Sequence, residues 1–302
     1  MNQTFNPELP VGEYARIYIQ TGAVRNQGLE LALNYNNTWK DFTWNTGVTY
    51  SMNKNKILTL ADNAINPITH EKFSISSLNM GGLGSTRFIL KEGGSMGDIY
   101  SLMDLKRDAN GAVYIDENNS VVTESLEANN YIKLGSVLPK GNLAWRNNFS
   151  WKNINVAFLV SARLGGVVFS RTQAVLDNFG VSEASAAARD KGYVSVNGND
   201  RVNPEGWYSV VAGGTAVPQY YIYSATNIRL QEASIGYTIP RKWLGNVCDI
   251  KVSLIGRNLW MIYNKAPFDP ESVASTDNFY QGIDYFMMPS LRNIGFNLSF
   301  KF

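Results

Sequence analysis

Few side chains in this 302-residue chain are of types that do chemistry. His70 is the only histidine and Cys248 the only cysteine. A histidine metal cluster, a disulfide framework and a cysteine metal site are therefore excluded. Nothing at strand or helical spacing joins His70, which reads as an exposed loop residue. The neighbouring carboxylates Asp116 and Glu117 read as a solvated turn rather than an acid–base pair. In RDANGAVYID (107–116), Asp108, Asn110 and Gly111 have the start of a calcium loop but lack its later ligands and closing glutamate. A hairpin turn with Gly111 at positive φ accounts for them. The group left is aromatic: Trp207, Tyr208, Tyr220, Tyr221 and Tyr223 in GWYSVVAGGTAVPQYYIYSATN (206–227). Such rings in a loop stack on sugars while their polar tips hydrogen-bond. The same types also fill interfacial girdles or pack a loop on itself. No catalytic residue, metal or cofactor is expected.

The elements that would position these rings are strands. Period-two alternation recurs along the chain. In 27–36, Leu29, Leu31, Leu33 and Tyr35 oppose Glu30, Ala32, Asn34 and Asn36. In 42–53, Phe42, Trp44, Val48, Tyr50 and Met52 take one face. The pattern returns at 141–151, 154–164, 226–239 and 249–262, and it is cleanest in NIGFNLSFKF (293–302). There Ile294, Phe296, Leu298, Phe300 and Phe302 alternate with polar or small residues. Within 226–239 the apolar parity slips, which predicts a bulge near Gln231–Glu232. Shorter strands are expected at 86–91 and 97–106, giving roughly nine. A short helix fits 181–192, with Ser182 as cap and Gly192 as stop.

Connections alternate in length, with short turns near 38–41, 152–153 and 240–248 and long segments at 58–85, 107–140, 165–224 and 264–288. Long structureless loops are unusual in a compact soluble domain but are the rule on one side of outer-membrane barrels. Many of the strands reach the ten or so residues that a tilted strand needs to cross a bilayer. Aromatics crowd the apolar face. Only 17% of residues are charged, and the net charge is +2, which supplies no electrostatic case for nucleic acid or for a polybasic membrane patch. No apolar run approaches a membrane helix, and MNQTFNPELPVGEY lacks the features of a signal peptide. The expected fold class is all-β, an antiparallel transmembrane β-barrel with long extracellular loops and short periplasmic turns.

Six stretches, in order, resemble the SusC/RagA-type TonB-dependent outer-membrane transporters. They are GAVRNQGLELALNY (22–35), FTWNTGVTYSMNKNKI (42–57), KEGGSMGDIYSL (91–102), NIRLQEASIGYTIPRKWL (227–244), VSLIGRNLWMIYN (252–264) followed by FDPE (268–271), and the closing NIGFNLSFKF. Ser101–Leu102 and Thr226–Asn227 depart from the family pattern. The resemblance implies that residues 1–302 are the C-terminal portion of a barrel, an open curved sheet without the plug domain, TonB box and signal peptide. It implies import of oligosaccharides or peptides across the cell outer membrane, energised through TonB, and no enzyme activity. Implied partners are a SusD-like surface lipoprotein, the TonB complex through the absent N-terminal part, outer-membrane lipid and the barrel-assembly machinery. The last of these would read Phe302, Phe300, Leu298, Phe296 and Ile294 as a recognition signal. Residues expected to face the lumen include Glu30, Asn45, Arg146, Arg163 and Asn297.

Two other readings share the alternation. A secreted all-β module, carbohydrate-binding or structural, would bury Trp145, Phe149 and Phe296 between two sheets. A complete small porin would need an even strand number and closure of the first strand on the last.

Overall fold

The computed structural model describes residues 2–5, 17–67, 69–214, 217–245, 247–277 and 280–301. Seven long strands form one antiparallel sheet: β1 (Ala23–Trp39), β2 (Phe42–Thr59), β3 (Gly141–Trp151), β4 (Ile154–Leu164), β5 (Asn227–Ile239), β6 (Asp249–Asn264) and β7 (Asn293–Lys301). Their order in the sheet is their order in the chain, an up-and-down meander.

The alternation in the sequence becomes rungs that cross the sheet. Trp39, Phe42, Trp151, Ile154, Tyr237, Val252 and Leu298 lie side by side on seven strands. On the other face, Glu30, Ser51, Asn142, Arg163 and Asn227 form a polar rung. The register places Asn45 beside Asn148, Arg146 beside Gly47, and Asn297 beside Ser253. The five residues expected on the polar face are therefore all there. A one-residue slip would exchange the faces wholesale, so this agreement along whole strands fixes the register.

The apolar face is bare. Phe296 is 82% exposed, Leu33 71%, and Trp145 is exposed as well. A two-sheet sandwich is thereby overturned: it would bury Trp145, Phe149 and Phe296, of which two are exposed and Phe149 is half-buried against Trp44 and Phe158 of its own sheet. On β1 the band runs from Leu29 to Trp39. Ten steps at about 3.3 Å, tilted by about 40°, rise about 25 Å, the height of the apolar band of an outer-membrane barrel. Three polar residues interrupt the band, and each is paired: Trp44 Nε1 donates to Asn147 Oδ1 (3.1 Å), Trp145 Nε1 to Thr46 Oγ1 (3.1 Å), and Asn37 Nδ2 to the Tyr35 hydroxyl (3.1 Å). An unpaired indole N–H facing hydrocarbon would be costly.

The bulge lies where the parity slips. Both ladders of β5 shift between Leu230 and Glu232, and Asn258 on the facing strand adopts φ 51°. The strand expected at 86–91 forms, and the one expected at 97–106 breaks at Leu102 into Asp98–Ser101 and Met103–Leu105; all lie outside the long sheet. Thr86–Lys91 and Asp98–Ser101 join Ser77–Leu83 and Ile132–Ser136 in a separate four-stranded sheet. The reason is burial on both faces: Phe88, Ile89 and Leu90 are all buried, so this strand has no face to show to lipid.

This second sheet belongs to a cap made from the long connections. Its core contains Phe88, Ile99, Leu105, Val137, Phe169 and Val211, drawn from segments more than a hundred residues apart. Three helices pack there: α1 (Arg171–Asn178), α2 (Glu183–Lys191) and α3 (Pro204–Val211). The helix expected at 181–192 is α2, with Ser182 Oγ accepting from Ser185 N–H and Gly192 at φ 82°. α1 and α3 were not expected. In 107–116 the turn forms as expected, with Gly111 at φ 83° and Asp108 Oδ1 accepting from Asn110 and Ala112 N–H.

Candidate functional site

The aromatic stretch is built on α3 and the 3-10 turn Pro218–Tyr221. Asn203 caps α3, its Oδ1 accepting from Glu205 N–H (2.9 Å), and Pro204 takes the first helical position. Both favour helix nucleation there. The helix directs Trp207 to the 3-10 turn, where it meets Tyr220 edge to face, with centroids 5.2 Å apart and an interplanar angle of 80°. Tyr220 is 42% exposed and Trp207 half-buried. Gln219 pins the turn from behind, donating to Met103 O (2.9 Å).

The other three rings do not join this pair. Tyr208 lines a separate cleft of about 490 Å³ with Asp177, Arg189 and Glu205. Tyr221 is 3% exposed, and its hydroxyl donates to Asp177 Oδ2 (3.0 Å). Burial pushes its phenol far above the ordinary tyrosine range, and the Asp177 carboxylate adds to the effect. Tyr221 therefore offers no ring face to a ligand; it is a neutral donor to a buried acid. Asp177 also accepts from Gln173 Nε2 (2.9 Å) and from the Ser182 hydroxyl, so it ties α1, the start of α2 and the 3-10 turn together. Tyr223 packs edge to face on Phe268 at 5.6 Å, joining the segment 222–224 to the loop after β6.

The polar face of the sheet carries a cavity of about 670 Å³. Glu30, Thr49, Ser51, Asn142, Arg163 and Glu271 are among its lining residues. Arg163 is held there by a bond from Nη2 to Val137 O (2.8 Å). Beside it lies a cluster that reading the sequence did not single out. Arg229, 6% exposed, makes a two-pronged contact with Asp269, Nη2 to Oδ1 at 2.8 Å and Nη1 to Oδ2 at 3.1 Å. It also meets Glu271 (3.1 Å), and its Nε donates to Asn227 Oδ1 (3.2 Å). Burial raises the Asp269 carboxyl, but hydrogen bonds from Arg229, the Glu271 backbone and Ser290, with the Arg229 charge, outweigh it and leave the group below its usual range. The signal was available: an arginine set between Ile228 and Leu230 on a strand needs a partner where it is buried, and FDPE supplies two acids.

Among the residues expected to signal barrel assembly, Ile294, Phe296, Leu298 and Phe300 lie on the bare apolar face of β7, paired across to Gly256, Leu254, Val252 and Ile250. Phe302 lies outside the described residues. Among the described residues, no three of His, Cys, Asp and Glu are grouped to hold a metal.

Comparison with known proteins supplies a context for this geometry. No family model matches the chain. It is 25% identical over 333 residues to TonB-dependent receptor P3 of Formosa agariphila, covering 97% of this chain and 30% of that protein. It is 28% identical over 304 residues to TonB-dependent receptor P26 of the same organism, covering 93% and 29%. The chain thus spans about 30% of the length of the curated relatives it matches. Among solved structures, the RagAB peptide importer in its closed-closed state superimposes with a TM-score of 0.68 at 16% identity, covering 99% of this chain and 32% of that one. The open-open state gives 0.67 at 17%, covering 100% and 31%. Sequence and fold agree with the motifs: this chain is similar to the SusC/RagA-type TonB-dependent transporters and folds as a portion of their barrel.

Proposed function

We propose that this chain forms part of the wall and outer cap of an outer-membrane transporter that imports oligosaccharides or peptides with energy delivered through TonB. The observation that supports this reading best is the division of labour between the faces of one sheet. The apolar face is bare over the height of a bilayer, while the polar face carries a cavity that Glu271, from the loop after β6, also lines. A substrate crossing a barrel meets the second face and lipid meets the first.

In this reading Trp207 and Tyr220 make the outer contact, with their edge-to-face pair presented at the surface of the cap. Tyr208 adds a contact from the neighbouring cleft. Tyr221 and Tyr223 hold the platform in place, since one is locked to Asp177 and the other packs on Phe268. A SusD-like surface lipoprotein would close over the cap. The barrel-assembly machinery would read the alternating apolar residues Ile294, Phe296, Leu298 and Phe300 of β7, together with Phe302.

The test is substrate binding by the full-length protein. The variants W207A and Y220A should each weaken binding by about tenfold, as loss of one stacking ring does. Y223F should leave binding close to the parent, because its ring contact with Phe268 is kept. Unchanged affinity in both W207A and Y220A overturns the assignment of the pair.

A further inference from the structure

The short-turn end of the sheet repeats a pairing that neither the cavity nor the cap uses. The turn between β1 and β2 reads Trp39-Lys40-Asp41-Phe42. That between β3 and β4 reads Trp151-Lys152-Asn153-Ile154, and that between β5 and β6 contains Arg241-Lys242-Trp243. Each turn thus sets an indole next to a cation. Trp39, Trp151 and Trp243 are exposed, and so are Lys40, Lys152, Arg241 and Lys242. Lys152 Nζ lies 5.4 Å from the Trp151 ring centroid. Backbone bonds join the turns into one rim: Lys152 N–H donates to Asp41 O (3.0 Å) and Thr238 N–H to Asn153 O (2.8 Å).

The charge of this rim is not that of the chain. The turn tips 40–41, 152–153 and 240–248 hold four basic side chains and one acidic one. The long connections 60–140, 165–226 and 265–292 hold 19 acidic and 13 basic. The sheet therefore separates a cationic, tryptophan-bearing end from an anionic cap. Indoles settle at the headgroup level of a bilayer, and cations beside them lie within reach of lipid phosphates.

We infer that the short-turn rim is a binding surface for the phosphate groups of anionic phospholipids in the leaflet it enters. The inference rests on the membrane-spanning reading. In it the tryptophans fix the depth of the rim and the cations select the headgroup. Asp41 is the one acid at the tips, and its carbonyl rather than its carboxylate is committed to the rim.

The experiment uses the full-length protein in a neutral detergent, titrated with phosphatidylglycerol or phosphatidylcholine, with retained lipid counted by native mass spectrometry. Phosphatidylglycerol should bind at least about tenfold more tightly, an advantage that should collapse at about 0.5 M salt, where charges are screened within a few ångströms. K40Q/K152Q/R241Q/K242Q should lose the preference, while K40R/K152R/K242R should keep it. The heat-dependent gel mobility of each variant reports whether the barrel has formed. If the glutamine variant does not fold, the salt titration of the parent decides. Equal retention of both lipids by the parent, or a preference kept by the folded glutamine variant, overturns the inference while leaving the spanning reading intact. A parent protein that stays monomeric without detergent and enters no phosphatidylcholine vesicle overturns that reading and the inference with it.

Discussion

The residue that organises the junction between sheet and cap is Arg229. A guanidinium buried on the polar face gains from its surroundings only if its charge and its donors are met, and Asp269, Glu271 and Asn227 meet them. Asp269→Asn removes one partner and leaves the cation in place, which should cost about 3 kcal/mol and free the loop after β6. Limited proteolysis within 265–277 should then become fast, while the long strands keep their gel mobility. The pH dependence has a definite sign. The Asp269 carboxyl titrates below its usual range in the folded protein, so its stabilising contribution is complete above the ordinary value of 3.8. That contribution is lost as the pH falls further, through the lowered value. Protection of the loop should hold at pH 5 and fail only in acid below the ordinary carboxylate value of 3.8. Failure near neutral pH would mean that another group holds the loop.

At the scale of the strand, the two faces of β1 make opposite predictions for neighbouring positions. Leu33→Arg places a cation within the apolar band and should cost about 2–4 kcal/mol of barrel stability. Ala32→Arg puts the same charge one residue away, on the polar face beside the cavity, and should be nearly neutral. Unfolding in urea from lipid vesicles separates the two, and equal effects would contradict the assignment of faces. The assignment was legible in the sequence because a period of two survives any tilt or twist of a strand, and every long strand shows it. The bulge at Gln231 was legible for the same reason, as a slip in that period. The membership of Thr86–Lys91 was not. Thr-Arg-Phe-Ile-Leu-Lys is β-prone in any sheet, and only the burial of Phe88, Ile89 and Leu90 together assigns it to the cap. α3 was missed although Asn203-Pro204 is a helix start, because the rings of Trp207 and Tyr208 drew the reading toward a loop. Composition singled out the five rings but not their arrangement: the contact of Trp207 with Tyr220 and the burial of Tyr221 against Asp177, 44 residues earlier, both depend on how the cap folds.

At the scale of the molecule, the long connections are not slack loops but a second folded body. Their core is drawn from three connections, and each supplies side chains that the others bury: Phe88, Phe169 and Ile283 are all fully or almost fully buried. The strand Val167–Ser170 shows how two of them are tied. It pairs antiparallel with Ile222–Ser224 and parallel with Ile283–Asp284, and Ser170 Oγ donates to Asp284 Oδ2 (2.6 Å). A core drawn from connections that the sheet holds at one end has few contacts with the long strands themselves, so its cooperativity should be its own. Phe169→Ala should remove about 3–5 kcal/mol from the cap, opening all three connections to protease together while heat-dependent gel mobility still reports an intact barrel. If the strands lost that mobility in step with the cap, sheet and cap would be a single cooperative unit. If only the connection carrying Phe169 became sensitive, the shared core would not be what holds the other two.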